Sequence, residues 1–162
     1  MAKRLSDGNT KATFVPVVNV LSAPTVAELT AAGIVACEEH ITADGLNIAI
    51  EQGAVEGDTL ASTQTYQGPG RTQASIELTY FRDTITSGDR MWSVMTNGTE
   101  GFFIVRRGVA YDTAYAAGQK IAIYTVTCGE PRELAPEAET YDRAMVNLYP
   151  SGRYLREATV AA

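Results

Sequence analysis

The sequence predicts a mainly β protein, an antiparallel sandwich or barrel-like sheet with one flanking α-helix and a short second helix. Three observations lead there. Apolar residues alternate with a period of two in several short segments, Gly, Pro and Asx residues separate those segments at close intervals, and only two segments carry helix-start signals. A chain of 162 residues is sized for one domain, here residues 1–162, that buries about two-thirds of its unfolded surface.

Each element follows from local chemistry. Thr13–Leu21 is β-branched and apolar, and Pro16 within it marks an edge or a strand beginning. Pro24–Glu28 is a capping box with Thr25 as N-cap and Glu28 at N3, closed by Gly33. Gly33–Thr42 reads as a strand ending in an Asp44–Gly45 turn. Leu46, Ile48 and Ile50 then share one face of a further strand. Gly53–Asp58 is expected as an exposed loop, Leu60–Gln67 as a polar strand, and Gly68-Pro69-Gly70 as a hard turn. The clearest strand is Arg71–Arg82, with Ala74, Ile76, Leu78 and Tyr80 on one side. Asp89–Asn97 is the second helix, whose Met91, Trp92 and Met95 form an apolar face suited to packing on a sheet. Gly101–Arg107, ended by Gly108, and Lys120–Cys128 are strands. The segment 132–162 is less sharply patterned, with coil expected to Asp142 and a strand over Ala144–Tyr149.

Charge is unevenly spread. The chain has 13 Lys and Arg against 19 Asp and Glu, a formal net charge of −6. Residues 1–11 form a small basic arm with Lys3, Arg4 and Lys11. From Ala12 to Gly70 there is no Lys or Arg, while Glu28, Glu38, Glu39, Asp44, Glu51, Glu56 and Asp58 all fall there. An acidic balance argues against gripping nucleic acid by neutralising phosphates. The acid-only stretch is either a solvated face or a surface kept free of cations so that a polyanion passes without sticking.

No catalytic or metal-binding constellation emerges. Gly68-Pro69-Gly70 lacks the lysine and spacing of a phosphate loop. His40, the single histidine, adjoins Glu39 but has no nucleophile elbow to serve. Glu38 and Glu39 point to opposite faces of a strand, as do Arg106 and Arg107, so neither pair makes a joint site. Cys37 and Cys128 are too few for a disulfide scaffold or a four-cysteine zinc site and are expected buried and reduced. No apolar run approaches the roughly 18 residues needed to span a bilayer. The opening residues turn polar where a signal peptide is apolar, so the expectation is cytoplasmic synthesis without membrane attachment.

Several stretches resemble the major tail (tail tube) proteins of long-tailed, siphovirus-like bacteriophages, especially those of actinobacterial hosts. They are Ala2–Gly8, Ala23–Leu29, Thr42–Asn47, Gln67–Arg71, Glu77–Tyr80 and Gly98–Val109. The resemblance runs to about Pro131 and is vaguer beyond. It implies a β-sandwich whose copies close into six-membered rings. Those rings stack into a virion tube for genome DNA, assembled in the host cytoplasm around a tape-measure protein and capped by a terminator. It implies no enzyme activity and no cofactor. On that reading Glu38, Asp44 and Glu51 are candidates for the channel wall. Lys3 and Arg4 of the arm, with Gly53 and Asp58 of the expected loop, are candidates for contacts between rings. A head–tail connector or terminator of the same virion, and a small cytoplasmic β-barrel that binds a ligand, fit the composition as well.

Overall fold

The computed structural model describes residues 1–162. Its strands are β1 (Thr10–Val15), β2 (Val35–Ala36), β3 (Ile41–Glu56), β4 (Gln67–Phe81), β5 (Glu100–Arg107), β6 (Lys120–Cys128), β7 (Arg132–Glu133) and β8 (Arg143–Thr159). Helix α1 (Val26–Leu29) lies between β1 and β2, and α2 (Arg90–Val94) between β4 and β5. All strand pairs are antiparallel, in the order β2-β1-β5-β6-β8-β4-β3, with the short β7 against β8.

The sheet curls until its two ends share one core. Val35 of β2, Phe14 of β1, Phe103 and Val105 of β5, Tyr124 and Val126 of β6, Val146 and Leu148 of β8, and Ile76, Leu78 and Tyr80 of β4 form a single buried cluster. Met91 and Met95 of the α2 segment close it. Alternate residues of the same strands face the other way. Val15, Ile104, Ile121, Ile123 and Ala158 form a second cluster beneath Leu29 of α1. The middle strands are thus apolar on both faces, which explains the unbroken Phe102–Val105 run.

Helix α1 carries the capping box read from the sequence. Thr25 Oγ1 accepts from the Glu28 amide at 3.3 Å, and Glu28 Oε2 accepts from the Thr25 amide at 2.8 Å. Helix α2 is shorter than Asp89–Asn97. Asp89 makes no side-chain cap; its carboxylate is drawn instead to Arg82, 2.7 Å away. Lys120–Cys128 has the expected bounds, and Gly108 ends β5 with φ of 84°.

Several segments differ from expectation for identifiable reasons. Strand β1 starts at Thr10, so the free arm is shorter than 1–11, and β1 stops at Val15 before Pro16. The Gly33–Thr42 strand reduces to Val35–Ala36, because Cys37–His40 form a turn in which the His40 and Ile41 amides both donate to the Cys37 carbonyl. Asp44–Gly45 does not turn the chain: it lies in a bulge within β3, where the register passes from Ile41↔Tyr80 to Leu46↔Leu78. A second bulge lies in β4, where Gly70 and Arg71 together face Gly53, and β3 runs on to Glu56. Gly68-Pro69-Gly70 lies inside β4, with Pro69 opposite Ala54. The connection is therefore 57–66, which holds no strand although Leu60–Gln67 was expected to form one. Strand β8 extends past Tyr149 through Pro150 and Gly152 to Thr159.

Candidate assembly surfaces

Two charged clusters shape the loops at the ends of the sheet. Arg106 is fully buried, while Arg107, pointing the other way, is exposed. The Arg106 Nη2 donates to the carbonyls of Ala110 (2.8 Å) and Thr113 (2.7 Å). Its Nη1 donates to the carbonyl of Ala114 (3.2 Å) and to Gln119 Oε1 (3.0 Å). The Tyr115 ring centre is 5.1 Å from the guanidinium and 5.6 Å from Lys11 Nζ. Tyr115 shares a 2.9 Å hydroxyl–hydroxyl bond with Thr13, and its burial pushes the phenol up to about 12. Two cations from neighbouring strands thereby fix the long connection between β5 and β6. Sequence reading placed Arg106 opposite Arg107 but gave it no role. The signal available was a lone Arg on the buried side of an apolar strand, followed by a long loop.

At the other end, Arg82 Nε donates to Asp89, its Nη1 donates to Glu133, and its guanidinium lies 3.9 Å from the Trp92 ring centre. This joins the end of β4, the start of α2 and β7. Cys37 and Cys128 are free and buried. Burial pushes the Cys128 thiol up to about 12 and Cys37 higher, with Glu38 adding to the second.

The candidate wall acids do not share one environment. Glu38 is withdrawn from that set, because antiparallel pairing of β1 with β2 brings it against Lys11 with a 2.9 Å ion pair and only 6% side-chain exposure. It lines a cavity of about 740 Å³ beside Asp7, Glu39, Arg107 and Tyr111, so it is no free surface charge. Asp44 is exposed and accepts from the Thr42 hydroxyl at 3.0 Å. Glu51 is exposed opposite Gln73, on the polar face that also carries Asn47, Ser75 and Glu77 and, across β8, Asn147. Among the candidates for contacts between rings, Lys3 is exposed. Arg4 donates to the Arg107 carbonyl at 3.4 Å and packs on Gly108. Gly53 lies in strand, not loop, and Asp58 accepts from the Tyr66 amide at 2.6 Å.

The largest exposed feature is the outer half of the β3–β4 hairpin. Residues 49–73 are almost all solvent-exposed, including Ile50, Val55, Leu60 and Tyr66. Strand β3 is the last strand of the sheet along its whole 16-residue length. Beyond the bulge at Asp44–Gly45 nothing blunts that edge: Ile41–Glu56 contains no Lys, Arg or Pro.

Such a protruding, uncovered sheet edge is the mark of a subunit rather than of a closed, self-sufficient barrel. The chain belongs to the phage tail tube protein family, whose model matches residues 1–162. It is a structural protein of the phage tail and a component of the virion. Its fold is similar over 99% of its length to 98% of a chain in the baseplate of the anti-feeding prophage, with 8% identity and a TM-score of 0.55. Weaker likenesses, both at a TM-score of 0.46, are to the tail of an empty gene transfer agent particle and to the native gene transfer agent virion. The first has 15% identity and covers 69% of this chain and 81% of that one. The second has 14% identity and covers 76% and 97%. No curated protein matches the chain.

Proposed function

We propose that copies of this chain, each a single domain, close into six-membered rings that stack into the tube through which a long-tailed phage of an actinobacterial host ejects its genome. The carrying observation is the 16-residue open edge of β3, whose unpaired backbone groups a second copy can satisfy. The chain works as a wall and not as a catalyst, and it needs no cofactor. Its further partners are the tape-measure protein inside the growing tube and the terminator at its end. Lys3 and Arg4 of the arm contribute contacts between stacked rings.

Passage of DNA is favoured by the absence of any Lys or Arg from Ala12 to Gly70. A wall cation pairs with phosphate and releases counterions, so each contact holds the duplex in place. Carboxylates repel it weakly over a screening length of about 8 Å. Asp44 and Glu51 remain the candidates for the wall once Glu38 is paired with Lys11. Asp44→Lys and Glu51→Lys, introduced into a phage that still assembles, are expected to slow DNA ejection at low salt, with high salt restoring the rate. Ejection unchanged at every salt concentration moves both residues off the wall.

A further inference from the structure

We infer that the exposed hairpin of one copy docks on the open edge of β8, residues 149–157, in the next copy. This rests on the ring reading above and specifies the surfaces that close the ring. Strands β4 and β8 pair from Phe81↔Arg143 to Ile76↔Leu148 and then part company. Beyond that fork β4 continues as Gln67–Ser75, paired on one side only, with β3. Strand β8 continues with only β6 beside it, from Tyr149↔Thr127 to Thr159↔Lys120, with bulges in β8 at 151–153 and 156–157. Near its end the open side of β8 is covered, since the Thr159 amide donates to the Ser22 carbonyl at 3.3 Å. The uncovered stretch is therefore 149–157, and a cavity of about 210 Å³ opens at its base between Gln73–Glu77 and Asn147–Pro150.

Each copy thus holds a β8 edge that its own hairpin has vacated and a hairpin that has left its sheet. A two-stranded hairpin is marginally stable without a third strand or a packed face. Placing the hairpin of one copy on the β8 edge of the next satisfies both at once. Because donor and acceptor surfaces differ, the contact is head-to-tail and repeats around a ring. Charge favours the same match. Arg153 and Arg156 on β8 are exposed and make no ion pair, and the neighbouring Glu157 is engaged by Lys120 at 3.6 Å. Apart from the wall candidate Glu51, the hairpin carries Glu56 and Asp58 against Arg71 alone.

The test is disulfide trapping in assembled material. Gln52→Cys, Ala54→Cys and Glu56→Cys are each combined with Arg153→Cys, assembled, inspected by negative-stain microscopy, and oxidised. The native Cys37 and Cys128 are buried and stay silent. At least one pair is expected to convert the monomer band on a non-reducing gel into a ladder ending at the full ring, while Val17→Cys with Arg153→Cys stays monomeric. Tubes that yield no ladder from any hairpin pair, or a ladder only from the Val17 pair, overturn the docking and leave the tube reading standing. Wild-type chain that makes neither rings nor tubes overturns both. In a second arm, Arg153→Glu with Arg156→Glu is expected to keep the circular dichroism of the wild type and to lose assembly. Normal assembly by that double variant overturns the charge match.

Discussion

Replacing Arg106 by Met removes the guanidinium that holds the loop after β5 while keeping a long apolar stem. Four hydrogen bonds from a charged donor disappear, each contributing about 1.5–3 kcal/mol. Against that stands the several kcal/mol needed to strip water from a buried cation, and one donor, Nε, that is buried without a partner. The freed carbonyls of Ala110, Thr113 and Ala114 sit on exposed residues and regain water. The balance is a loss of about 3 kcal/mol, or about 6–12 °C in Tm for a chain of this size. Arg106→Lys keeps the charge but loses the planar fork, and is expected to be destabilised at least as much. Thermal melts by circular dichroism on unassembled protein give the magnitude, and hydrogen exchange across residues 108–119 shows whether the loop is released. A Met variant melting within about 1 °C of wild type, with that loop still protected, would refute the account of Arg106.

Three further outcomes follow from packing and charge. Gly101→Ala places a Cβ 2.8 Å from Phe14 Cε2 and 3.0 Å from the Val15 carbonyl. Phe14 is buried and cannot swing away, so a loss of about 1–3 kcal/mol is expected in denaturant titration. Because burial raises both thiols far above neutrality, native protein at about pH 8 should not react with a thiol reagent, whereas unfolded protein should titrate two thiols. Glu28 has its carboxyl lowered by the Thr25 and Asn19 amides. Its stabilising effect is present above the ordinary glutamate range and is lost as pH falls through the lowered value. Between about pH 5 and 2 the wild type should therefore lose more stability than Glu28→Gln; parallel acid titrations of the two would contradict this.

The parts of the fold legible in sequence are those whose local chemistry agrees with the tertiary pairing. Lys120–Cys128 and the apolar face from Ala74 to Tyr80 alternate because they border a core, and Thr25 with Glu28 makes a cap from adjacent residues alone. The hairpin was misread for the opposite reason. Asp44-Gly45, Gly53 and Gly68-Pro69-Gly70 are turn formers taken singly, but the pairing of β3 with β4 absorbs the first as a bulge in β3 and sets Gly53 opposite a bulge at Gly70 and Arg71 of β4. It also tolerates Pro69, because the other side of β4 has no partner there. The pairing of Glu38 is invisible in sequence because its counter-ion, Lys11, is 27 residues away and only strand pairing brings it near. The fork between β4 and β8 is a property of three strands together, so no single segment announces it. The strand expected over Ala144–Tyr149 continues through Pro150 to Thr159 because β6 pairs with it beyond the fork.

The central claim, that this chain builds a tube from copies of itself, is tested most directly by negative-stain electron microscopy of the purified protein across a range of concentrations. The account predicts rings that give way to hollow tubes of uniform diameter as concentration rises, with no other virion protein present. Particles that remain compact monomers or dimers at every concentration would contradict it.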